Sequence, residues 1–72
     1  MTIGDKVRIT QTFGSSTNSS DLATRGQLAI IIDDLYARYG TPLYRHLYEV
    51  RLQSGSAVGE TRLVTLNEMR EA

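Results

Sequence analysis

The chain has 72 residues, a length at which a domain buries only about 60% of its unfolded-state surface, so stability has little margin. It contains no cysteine, which excludes disulfide staples and thiolate zinc sites and leaves packing to hold the core. Eight basic residues balance eight acidic ones, so the whole-chain field offers no long-range attraction to a nucleic acid or an anionic membrane, and any such role falls to local patches.

The opening MTIGDKVRIT carries no apolar signal core, and no apolar run approaches the ~20 residues that span a bilayer. The expectation is a soluble, cytoplasmic protein with no membrane partner. In the same stretch Ile3, Val7 and Ile9 fall on one side of a period-two pattern and Lys6 and Arg8 on the other, which predicts a first strand entered through a Gly4-Asp5 turn. The Ser-, Thr- and Asn-rich text that follows predicts a long polar loop at about 12–25. RGQLAIIIDD then reads as a strand apolar on both sides. If Leu28, Ile30 and Ile32 face the core, Ala29 and Ile31 face elsewhere and need the loop or a partner to cover them.

LYARYGTP has the punctuation of a broad hairpin connection, with one helical turn over Leu35 to Tyr39. LYRHLYEVRLQ predicts a third strand. Its even positions, Tyr44, His46, Tyr48, Val50 and Leu52, lie opposite the odd ones, Leu43, Arg45, Leu47, Glu49 and Arg51, so rings and guanidinium groups are expected on opposite faces. SGSAVGE is a turn and Thr61 to Thr65 a fourth strand. Thr65-Leu66-Asn67-Glu68 has the spacing of a capping box that opens a helix or a 3₁₀ turn, with Met69 closing one end of the core. The sum is a single all-β domain over 1–72, with four to five antiparallel strands and one short 3₁₀ or helical turn near the C-terminus.

Candidates for chemistry are few. Neighbouring residues of a strand point to opposite faces, so Asp33-Asp34 reads as a polar strand end and not as a shared-proton or metal pair. His46, the single histidine, reads as a partly buried strand residue between two tyrosines. A nucleophile drawn from the Ser-rich loop lacks the rigid orientation that a Ser-His-Asp set requires. The glycines fall at turns and never as a phosphate-cradling motif, so neither a cofactor nor a metal is expected. Tyr36, Tyr39, Tyr44 and Tyr48 have two readings: a binding patch, because tyrosine offers a large contact area at low entropy cost, or Tyr44 and Tyr48 as core edges with wet hydroxyls and Tyr36 and Tyr39 capping one end of the core.

Four stretches, GDKVRI at the start, GQLAII after the loop, YEVRL in the middle and LVTLNEM at the end, together resemble a small SH3-like barrel. The order is similar to that of the photosystem I reaction-centre subunit IV type, with its relatives that dock ferredoxin, and to the type B dihydrofolate reductases. The reductase resemblance implies a tetramer whose pore binds folate and nicotinamide through a Val-Gln-Ile-Tyr stretch. The matching text here, GETRLVTL, lacks it, so that chemistry does not carry over. The docking resemblance implies a basic face for an acidic partner, with Lys6, Arg8, Arg45 and Arg51 as its residues and Glu49 among them. The expected function is therefore a non-enzymatic docking or adaptor module, or a small self-associating accessory subunit, with no catalytic residues. Its partner is a larger protein or a second copy, bound through Tyr36, Arg38, Tyr39, Tyr44, Arg45 and Arg51. The alternative is a nucleic-acid-binding small barrel using the same hairpin.

Overall fold

The computed structural model describes residues 1–10 and 25–72. The long polar loop expected at about 12–25 falls, Arg25 apart, outside the described residues. Five strands, β1 (Lys6–Ile9), β2 (Leu28–Asp34), β3 (Leu47–Leu52), β4 (Thr61–Thr65) and β5 (Met69–Glu71), form one antiparallel sheet in the order β4-β3-β2-β1-β5. Between β2 and β3 lie a short helix, α1 (Leu35–Tyr39), and a 3₁₀ turn over Pro42–Tyr44. A second 3₁₀ turn, Leu66–Glu68, leads into β5. The all-β expectation holds, as do the helical turn at Leu35 and the bounds of the fourth strand. The two end strands, β4 and β5, do not pair with each other, so the sheet is not closed.

One face of the sheet is the core. Val7, Ile9, Ala29, Ile31, Tyr48, Val50, Leu52, Val64 and Met69 are all buried. Cross-strand register brings them together: Val7 pairs with Ala29, Ala29 with Leu52, Ile31 with Val50, and Ile9 with Met69. This settles the ambiguous strand in the reverse sense to the expectation for Leu28, Ile30 and Ile32. Ala29 and Ile31 are fully buried, and those three are half-buried on the outer face. The physical reason is that β2 is apolar on both faces and cannot choose for itself. Its neighbours β1 and β3 alternate cleanly, and a one-residue slip of β2 would set their apolar residues against the wrong side.

The third strand starts later than its pattern suggests. Pro42 opens a 3₁₀ turn in which Tyr44 N–H donates to the Thr41 carbonyl at 2.9 Å and Arg45 N–H to that of Pro42 at 3.1 Å. Pairing with β4 begins only at Leu47. His46, expected as a partly buried strand residue, is instead exposed and sits in left-handed backbone at φ 64°. A period-two reading cannot detect this, because a residue in that conformation breaks the alternation it appears to continue.

The capping box forms as its spacing predicts. Glu68 Oε1 accepts from both the Thr65 N–H and the Thr65 hydroxyl at 2.8 Å, and the Glu68 side chain is buried at 6% exposure. Met69 follows it directly into the core as the first residue of β5. Glu68 thus fixes where the chain turns from β4 to β5. Replacing it with Ala is expected to lower the unfolding free energy by about 2 kcal/mol, with Glu68→Gln recovering part of the loss because an acceptor oxygen remains. Urea denaturation of the three proteins measures this.

Candidate functional site

The residues singled out as a partner surface are placed by a single irregularity in β2. Ile31 pairs with Val50, and the next paired residue, Asp33, is opposite Glu49, so Ile32 is an extra residue in a β-bulge. Regular alternation would put Asp33 on the core side with Ala29 and Ile31. The bulge turns it to the outer face, where its carboxylate forms an ion pair with Arg38. Asp34 comes opposite Tyr48 and caps α1, its Oδ1 accepting from the N–H groups of Tyr36 at 3.1 Å and Ala37 at 3.2 Å. Gly40 ends the helix at φ 68°, donating its N–H to the Tyr36 carbonyl at 2.8 Å. The adjacent carboxylates therefore do separate structural work, which agrees with reading them as a polar strand end.

Capped at both ends, the five-residue helix presents its side chains in fixed positions. Tyr39 meets Tyr44 edge to face, with ring centroids 5.7 Å apart. The Arg38 guanidinium lies 5.8 Å from the Tyr39 ring centre, and that of Arg45 lies 5.6 Å from the Tyr36 ring centre. The expected separation of rings and arginines onto opposite faces holds within β3, where Tyr48 is buried and Arg51 exposed. Strand alternation does not apply to Tyr44 and Arg45, because the chain there is a 3₁₀ turn and not a strand.

Of these side chains, Arg38, Tyr39 and Tyr44 border an open groove of about 690 Å³ on the outer face. Leu35, Arg38, Tyr39, Thr41 and Tyr44 line it from the connection, and Leu47, Glu49 and Leu63 from β3 and β4. Tyr39 is 59% exposed and Leu63 56%. Of the expected partner residues, Arg38, Tyr39 and Tyr44 meet in this groove. Tyr36 is outside its lining. Arg45 borders a separate cleft of about 340 Å³ with His46, Thr65, Leu66 and Asn67. Arg51 lies two residues beyond Glu49 on the outer face of β3, also outside the lining. The sequence reading missed Leu47 and Leu63, although the alternation of β3 and β4 marks both as outward-facing aliphatics. The basic face is also redrawn. Lys6, Arg8 and Arg51 share the outer face with Arg70, which lies directly opposite Arg8, while Arg45 is elsewhere.

Tyr48 is the one group among the described residues whose acidity is clearly displaced. Burial raises it above its ordinary 10.0, and the nearby Asp34 carboxylate raises it further. The folded chain therefore keeps the phenol proton to higher pH than the unfolded chain, and stability falls as pH climbs past the unfolded value.

Comparison with protein-family models, with curated proteins and with solved structures finds no match. No helix among the described residues is long and apolar enough to cross a membrane.

A pH series of urea melts tests the Tyr48 assignment. Between about pH 9 and about pH 11 the wild-type midpoint is expected to fall more steeply than that of Tyr48→Phe. Asp34→Asn, which keeps a capping oxygen but removes the charge, is expected to lie between them. Parallel profiles for all three proteins would refute the assignment.

Proposed function

We propose that the chain is a non-enzymatic protein-docking module, an accessory subunit built as a small SH3-like barrel, that holds another protein in the groove between α1 and the outer face of β3 and β4. The observation that carries this reading is the make-up of the groove: an edge-to-face tyrosine pair, a guanidinium within cation–π range of one of the rings, and exposed Leu63 in the same lining. Aromatic anchors of this kind, flanked by aliphatics, supply most of the affinity at protein interfaces. The strand order, with β2, β3 and β4 consecutive and a 3₁₀ turn leading into β5 beside β1, supports the SH3-like reading.

The groove is suited to affinity more than to reaction chemistry. Its polar groups are already engaged or isolated: Arg38 is paired with Asp33, and Glu49 is the carboxylate of the lining. The tyrosines are held before a partner arrives, which reduces the ordering cost of binding. Leu63 belongs to an end strand of the sheet, so the same surface is open to a larger protein or to a second copy. The role fits a cytoplasmic protein working beside a larger one.

Capture from a host lysate on immobilised protein, followed by titration of the purified partner, tests the reading. Tyr39→Ala combined with Leu63→Ser is expected to weaken the partner by about a hundredfold, with an unchanged far-ultraviolet circular dichroism spectrum. Tyr36→Ala, outside the groove, is expected to change it by less than about threefold. Equal effects of the two variants would reject the groove as the docking site.

A further inference from the structure

The outer face of the sheet holds a second feature, separate from the groove. Arg70 of β5 lies directly opposite Arg8 of β1, Lys6 is two residues along β1 from Arg8, and Lys6 and Arg51 flank Ile30 from either side. With strands about 4.8 Å apart and residues on one face about 6.8 Å apart, the four cations mark a band about 15 Å long across β5, β1, β2 and β3. Half-buried Leu28 and Ile30 lie between them. Lys6, Arg51 and Arg70 have no ion-pair partner among the described residues, and the Arg8 guanidinium donates to the Gly26 carbonyl at 2.7 Å.

Such an arrangement works against the fold. Like charges directly opposite on neighbouring strands are destabilising, and the chain has enough carboxylates to neutralise all its cations. The carboxylates among the described residues are placed elsewhere. Asp5 accepts from the Thr2 N–H, Asp33 is paired with Arg38 beside the groove, Asp34 caps α1 and Glu68 is buried in its capping box. Glu71 lies opposite Val7, in the alternation of the core side, so it does not share the outer face with Arg70. Glu49 stands at the groove end of the band, on the side of Arg51 away from the other cations by register.

We propose that this band binds the sugar-phosphate backbone of a single-stranded nucleic acid. Three of its four cations are arginines, whose planar donors match phosphate oxygens in pairs, and the spacing along β1 lets successive cations meet successive charges of an extended strand. No ring among the described residues lies on the band to stack a base, so the contact would follow the backbone without reading sequence. Leu28 and Ile30 are apolar ground for the sugars. The tyrosines lie at the other end of the face, which makes this site independent of the docking groove.

Fluorescence anisotropy with labelled oligothymidylate, over a series of salt concentrations, tests the proposal on the full chain. About four neutralised phosphates predict a slope of log K against log salt near −3 for a single strand. Arg51→Gln and Arg70→Gln are each expected to make the slope shallower by about 0.7 to 1, whatever the base composition of the oligonucleotide. Tyr39→Ala is expected to leave binding unchanged, so failure here and failure of the docking groove are separable. Absence of binding at the lowest salt would overturn the proposal. So would a slope that the two substitutions do not alter, or a labelled polyglutamate peptide that binds where the oligonucleotide does not.

Discussion

The extra residue at Ile32 is the constraint on which the arrangement of this molecule depends. Up to Ile31 the second strand alternates in step with its neighbours, and every residue it sends inward meets an apolar partner. Continued for two more positions, the same alternation would set Asp33 opposite Tyr48, on the other face from Arg38. The bulge exchanges the sides. Asp33 goes outward to Arg38, and Asp34 arrives where its oxygen caps the next helix. One unpaired residue in the ladder thus ends the strand, starts the helix and aims the helix across the outer face.

The consequences reach Tyr48. Because the bulge brings Asp34 opposite it, the phenol sits in the core rim with a carboxylate nearby, and both burial and that charge favour the protonated form. The same residue that stabilises α1 as a cap therefore adds a small alkaline sensitivity to the core. The helix itself has only five residues, too few to persist on propensity. Its two caps and its side-chain contacts with the 3₁₀ turn hold it, and they also set the groove.

Much of this was legible in the residues. Alternation alone separated Val7 and Ile9 from Lys6 and Arg8, and Tyr48, Val50 and Leu52 from Glu49 and Arg51. Local side-chain chemistry located the 3₁₀ turn at Leu66 through Thr65 and Glu68, and punctuation located the helical turn at Leu35. What stayed hidden depends on pairing between distant strands. The strand apolar on both faces took its orientation from β1 and β3, and the opposition of Arg8 and Arg70 exists only because the chain's end returns to pair with its beginning. The left-handed backbone at His46 was hidden for a different reason. A single residue with positive φ leaves the apparent alternation of the letters intact while turning Tyr44 and Arg45 out of the strand.

A neutral chain of this size has limited means of specifying partners, and the fold uses segregation in place of excess charge. Among the described residues, Asp34 is used as a cap, Asp33 as the Arg38 partner and Glu68 in the capping box, while Lys6, Arg8, Arg51 and Arg70 stay exposed on the outer face. Rings and aliphatics are likewise gathered at one end of that face by a short connection held at both ends. Local fields decay within about a Debye length, near 8 Å at physiological salt, so a basic band and an aromatic groove on one sheet can act on different partners although the net charge of the whole is zero. The division of the outer face follows from the same rule that built the core: the alternation of β1 and β3 fixes which residues of β2 up to Ile31 point inward, and the bulge after Ile31 fixes where Asp33 and Asp34 go.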